Sequence, residues 1–132
     1  MKSLEERDRA LIEAAGAAIS RNYDGENFHH TVGAAVRCGS GAVYTGVNVY
    51  SIHGACAEQV AIGSATTNGE RVLEATAAVR GKDGSELLPP CGSCRQLLAD
   101  YAPECEVILP VNGVAQKVPA KDLLPFAYHA EA

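Results

Sequence analysis

Two cysteine-bearing motifs carry most of the chemistry this chain can do. Cys91-Gly92-Ser93-Cys94 places two thiols three residues apart, and on a helix such a pair shares one face, close enough for a single metal ion to take both sulfurs. Alone, the motif is ambiguous, because a C-x-x-C that opens a helix is equally the arrangement of a redox disulfide. Cys56-Ala57-Glu58 also opens a helical pattern and decides the matter. If the two helix N-termini converge over one sheet edge, three thiols meet, and the free N–H groups and positive dipole ends there favour thiolate over thiol. Three protein ligands leave a tetrahedral zinc ion one open position, as a catalytic site requires. Glu58 would be badly placed to share a metal with Cys56 in mid-helix. In a first turn its side chain tilts back toward the N-terminus and reaches what binds there, so it reads as a proton carrier.

The elements that must position these residues follow from periodicity and punctuation. Ser3 with Glu6 fits a capping box, and Leu4, Leu11, Ile12, Ala15 and Ile19 recur at helical spacing, so a helix is expected from Leu4 to Ser20. Strands are expected at Val32–Cys38 and Ala42–Val49, joined as a hairpin by Gly39-Ser40-Gly41. Helices follow from Cys56 to Ala65 and from Cys91 to Tyr101, with a strand at Val72–Arg80 and a loop at Gly81–Pro90 between them. Glu104–Leu109 and Val114–Val118 complete the strands around the Asn112-Gly113 turn, and Asp122–Ala127 starts a short terminal helix interrupted by Pro125. Helical crossovers between strands imply an α/β domain, three layers deep, with a mixed sheet and helices on both faces.

Composition bounds the partners. The chain has 132 residues, 47% hydrophobic and 20% charged, enough for one domain with an aliphatic core, here residues 1–132. Acids outnumber bases 16 to 11, and Arg37, Arg71 and Arg80 form no patch and read as solvated surface, which argues against nucleic acid as a partner. No stretch approaches a membrane span, and Met1–Ala10 lacks the apolar core of a secretion signal, so a reducing cytoplasm is expected. Five cysteines there suit metal better than disulfides; Cys38 and Cys105, on or beside strands, read as buried inert thiols.

C-x-E followed by P-C-x-x-C is the order found in zinc deaminases of nucleobases, including their three-cysteine form. With Thr45-Gly46-Val47-Asn48-Val49, Cys91-Gly92-Ser93-Cys94-Arg95-Gln96 and Asp122-Leu123-Leu124-Pro125, the chain resembles the cytidine deaminase family over almost its whole length. The resemblance implies a five-stranded mixed sheet and a homotetramer whose sites are completed by neighbouring subunits. It assigns one Zn2+ per subunit to Cys56, Cys91 and Cys94. It further implies that zinc-activated water attacks C4 of a cytosine ring while Glu58 protonates N3 and then the departing amine. The Ala57 backbone would hold the ring's O2, and Asn48 the sugar.

Three residues depart from the family pattern. Tyr50 stands where a carboxylate grips the ribose, His30 replaces an aromatic residue before the Val-Gly-Ala-Ala strand, and Gln59 replaces an arginine. Three thiolates on Zn2+ leave the centre at -1, so Arg95 and the helix N-termini must balance it locally. Gly46-Val47-Asn48-Val49-Tyr50 and Tyr128 after Leu-Leu-Pro are similar instead to the blasticidin-S deaminase branch. The reading is therefore hydrolytic deamination of a free cytosine nucleoside of the blasticidin-S type, with plain cytidine or deoxycytidine as the runner-up. Without the resemblance, Tyr128 reads as an interface aromatic, and His29, His53 and His129 as loop or tail residues. Three other classes share parts of the pattern: a noncatalytic zinc domain closed by His53, a thiol redox protein using Cys91 and Cys94, and an editing deaminase of nucleic acid. The last is disfavoured by the missing basic channel.

Overall fold

The computed structural model describes residues 1–130. Helix α1 (Glu6–Asn22) leads into the hairpin β1 (Val32–Cys38) and β2 (Val43–Val47), followed by α2 (Ala57–Thr67). Then come β3 (Leu73–Arg80), β4 (Glu86–Leu88), α3 (Gly92–Tyr101), β5 (Glu106–Val111), β6 (Val114–Pro119) and a 3-10 turn over Ala120–Leu123. The sheet runs β2-β1-β3-β5-β6, with β4 paired to β3. β1 is antiparallel to both β2 and β3, so those two share a direction, and β3 runs parallel to β5. This is the expected mixed sheet.

Side-chain alternation along β1 assigns the two faces. Ala34, Val36 and Cys38 join Ala61, Ile62 and Leu98 of α2 and α3, whereas Ala35 packs with Leu11, Ala15 and Ile19 of α1. The three layers thus close over a core of small aliphatic residues. Helix α2 can approach β2 closely only because position 46 is glycine: a Cβ there would lie 2.6 Å from the Ala61 nitrogen and 2.9 Å from the Ala57 oxygen. The β5–β6 hairpin turns through Asn112 and Gly113, both at positive φ, as a tight turn matched to strand twist demands.

Several expectations are corrected. The capping box of α1 uses Glu5 and Asp8 instead of Ser3 and Glu6, because the Glu5 N–H donates to Asp8 at 2.8 Å while Arg37 and Lys117 hold the same carboxylate. Arg37 is accordingly no surface residue; it is 8% exposed and bridges Asp8 and Glu74. The segment expected to be loop between β3 and α3 contains β4, too short for its period to show. β2 ends at Val47, and the chain reaches Val49 as a lone bridge to Ala55. The terminal helix is only one 3-10 turn, begun after Pro119 and fastened by Ala120 N–H to Cys105 O and Lys121 N–H to Pro103 O.

Register places the helix starts. Gly46, Ala34, Ala78 and Leu88 form one row across β2, β1, β3 and β4. α2 begins its first turn against Gly46, and the chain enters α3 three residues after Leu88, so both N-termini open at one end of the sheet. Ligand sites in open α/β sheets gather at such an end.

Candidate metal and active site

Cys56 and Cys91 are the N-cap residues of α2 and α3, both in extended conformation, and Cys94 is the third residue of α3. The backbone at Cys56 is not helical, so the mid-helix objection to Cys56 and Glu58 serving one centre does not arise. The Cys56 and Cys91 sulfurs are 3.4 Å apart, those of Cys91 and Cys94 are 3.5 Å apart, and all three lie within 4.8 Å of one another. Sulfurs bound tetrahedrally to zinc at ~2.3 Å sit about 3.8 Å from each other, so the triangle fits that ion. All five cysteines are free, and among the described residues this is the one group of three or more Cys, His, Asp or Glu side chains gathered closely enough to hold a metal. His53 is exposed on the preceding loop and stands outside the cluster.

The electrostatics of the triangle call for a cation. Burial pushes the Cys94 thiol far up, with the Glu58 charge adding to it, and burial raises Cys56 as well. Cys91 is also penalised by burial, yet its thiol is lowered because the Cys94 and Ser93 backbone N–H groups and the neighbouring thiols donate to it. A metal ion bound by the three sulfurs would offset that cost and let them ionise together. Glu58 is 6% exposed, and burial holds its carboxyl above the usual carboxylate range, against its own backbone N–H and the Cys94 thiol, which pull it down.

A cleft of ≈ 370 Å³ opens beside the thiols. Asn48, Tyr50, Ala57 and Glu58 line it together with Cys56 and Cys91. Its apolar walls include Val32 from β1, Ile52 from the loop, and Leu88 and Pro89 from β4 and the residue after it, none of which sequence reasoning had placed there. The Leu87-Leu88-Pro89-Pro90 run was the available signal, but three strand residues are too few to read as a period. Among the described residues, no Lys, Arg or His lines the cleft.

Asn48 is partly committed to the fold. Its Oδ1 accepts the Thr31 and Val32 backbone N–H groups at 2.7 and 2.9 Å, and its Nδ2 donates to Thr31 Oγ1 at 3.3 Å, which leaves one N–H to offer a ligand. The structure does not bring His30 or Tyr128 to this cleft. His30 Nδ1 donates to the Asn48 carbonyl at 2.8 Å, and Tyr128 is an exposed side chain whose carbonyl accepts from Gln96. Arg95 meets no sulfur: its guanidinium donates to Pro90 O at 2.9 Å and Leu123 O at 3.1 Å, so it reaches the thiols only through the peptide before Cys91.

Known proteins share this arrangement. Residues 5–109 match the cytidine and deoxycytidylate deaminase zinc-binding region. The chain is 36% identical to blasticidin-S deaminase of Bacillus cereus, over 96% of this chain and 95% of that protein. It is 37% identical to cytidine deaminase of Halalkalibacterium halodurans, over 76% and 78% of the two chains. Among solved structures, cytidine deaminase from Burkholderia pseudomallei superposes with a TM-score of 0.74 at 35% identity, covering 95% of this chain and all 100% of that one. The enzyme from Mycobacterium tuberculosis gives 0.78 at 30% identity, covering 96% and 100%. With most of its length matched, the chain belongs to the cytidine and deoxycytidylate deaminase family and is an enzyme of that family's zinc-dependent hydrolase class.

Proposed function

We propose that this enzyme removes the C4 amine of cytosine in a free nucleoside, with water as co-substrate and the uracil nucleoside and ammonia as products. The observation that carries the proposal is Glu58, a buried carboxyl of raised pKa lining the same cleft as Cys56 and Cys91. Cys56, Cys91 and Cys94 would hold the zinc, which when bound supplies Lewis-acid activation of water at neutral pH. Glu58 relays both protons of that water, one to N3 and one to the departing amine, as the C4–O bond forms and C4–N breaks. Ala57, the first residue of α2, has a backbone N–H free of intrahelical bonds and donates it to the ring's O2. Asn48 offers its remaining N–H to the sugar. Glu58→Gln should cut ammonia release at least ~100-fold with zinc retained. A near-parental rate in that variant overturns the mechanism.

We favour nucleosides over nucleotides, since within one subunit a phosphate would find no Lys, Arg or His among the described residues along the cleft walls. Deoxycytidylate should therefore not be turned over. Within nucleosides we favour a blasticidin-S-like substrate. Tyr50 stands at the cleft in place of a ribose-gripping carboxylate, and the match to blasticidin-S deaminase spans 96% of the chain against 76% for the cytidine deaminase of H. halodurans. An absorbance screen over cytidine, deoxycytidine and blasticidin S decides. Turnover of cytidine with none of the antibiotic reverses the preference in favour of a salvage enzyme. Association into a homotetramer in a reducing cytoplasm belongs to the same reading, supported by the exposed Ile52, Phe126 and Tyr128; light scattering tests the assembly.

A further inference from the structure

Gln59 is bonded to both helix starts that carry the thiols. Its backbone N–H donates to the Cys56 sulfur, and its Oε1 accepts the Cys56 backbone N–H at 2.9 Å, so the two residues cap the start of α2 reciprocally. Its Nε2 then crosses to the other helix and donates to Ser93 Oγ at 2.9 Å, between Cys91 and Cys94. One neutral amide therefore spans the two helix starts on which all three thiols sit. Beyond this bond the helices are separated by a surface groove of ≈ 320 Å³, lined by Gln59, Ile62, Gly63, Thr66, Leu97 and Tyr101. On the core side the same helices meet through Ala61, Ile62 and Leu98, so the bridge acts on the surface side of that contact. A Cβ at Gly63 would meet nothing within 4 Å.

We propose that Gln59 is a positioning residue that sets the separation of Cys56 from Cys91 and Cys94, through the amide bridge from the Cys56 backbone to Ser93, and thereby sets how firmly the centre retains zinc. The inference rests on the three-thiol reading of the metal site but not on any particular substrate. Outer partners of metal ligands typically contribute 10–100-fold in metal affinity, because they fix the ligands before the ion arrives. The bridge does so here without a charge. An arginine would lower the charge of the centre, whereas this amide constrains its geometry and leaves the charge to the helix ends.

Three variants of the intact protein separate the parts: Gln59→Ala loses cap and bridge, Ser93→Ala loses the bridge alone, and the double variant should add little to Gln59→Ala. Zinc transfer to a chromogenic chelator should be about tenfold easier from Gln59→Ala, with Ser93→Ala between it and the parent. Cobalt-loaded Gln59→Ala should show shifted or broadened ligand-field bands, a change that general destabilisation without altered sulfur geometry does not produce. Ser93 is exposed, so Ser93→Ala keeps the test available even if Gln59→Ala folds poorly. Parental zinc retention and cobalt spectra in Ser93→Ala overturn the bridge, as do additive losses in the double variant. Both measurements are independent of turnover, so loss of the deamination proposal would leave them intact.

Discussion

At the scale of single residues, the structure separates groups that serve the fold from groups that serve a ligand, and Asn48 does both. Its Oδ1 accepts from two backbone donors at the start of β1, and the residue also lines the cleft with one N–H uncommitted. Asn48→Ala should cost about 1–3 kcal/mol of stability by orphaning those donors, as well as weakening substrate binding. Asn48→Asp keeps the acceptor and removes the donor. It should melt near the parental temperature while KM rises, and the two effects are read by thermal denaturation and steady-state kinetics. Equal destabilisation by both variants would show that the acceptor role is misassigned.

At the scale of elements, the site depends on how closely α2 lies against β2. Gly46→Ala puts a methyl group against the Ala57 and Ala61 backbone, so α2 must withdraw, and overpacking of this kind costs roughly 1–3 kcal/mol. The helix carries Cys56 and Glu58 at its start, so the same variant should lose zinc more readily than one with a comparable change far from α2. Chelator competition on the two variants, matched for stability, checks this. The start of α3 is braced differently: Arg95 donates to Pro90 O and Leu123 O, joining the entry to Cys91 to the 3-10 turn. Arg95→Met should loosen that turn, an effect visible as faster amide exchange over Ala120–Leu123.

At the scale of the whole molecule, an ionic network centred on buried Asp8, Arg37 and Lys117 ties the α1 layer to the sheet. Asp8 meets Arg37 at 3.1 Å and Lys117 at 2.9 Å, and Glu74 and Glu5 occupy the far sides of those two cations. Burial alone would raise the Asp8 carboxyl, but the Glu5 N–H, Lys117 and Arg37 outweigh it and hold it below its ordinary range. The folded chain then binds fewer protons than the unfolded chain in acid. The contribution is complete above the unfolded value of ~3.9 and is lost as pH falls through the lower folded value. Urea denaturation should show stability declining below about pH 4 for the parent and a flatter acid limb for Asp8→Asn. At neutral pH that variant should be about 3 kcal/mol less stable, because two buried cations lose a shared partner.

The sequence by itself determined the residue types and their local order. Cys56, Glu58, Cys91 and Cys94 were legible because helix-start signals flank them, and α1, α2, α3 and the long strands were legible from their periods. β4 and the cap of α1 were not. Three residues cannot display a period, and Asp8 displaces the Ser3 box only because Arg37 and Lys117, distant in sequence, converge on it. Tertiary structure alone decided that Arg37 is buried, that Arg95 serves carbonyls, that His30 bonds the Asn48 backbone, and that Gln59 bridges two helices. Each of these depends on which distant groups share a neighbourhood. That is set by the register bringing Gly46, Ala34, Ala78 and Leu88 into one row, with both helix starts at the same end of the sheet.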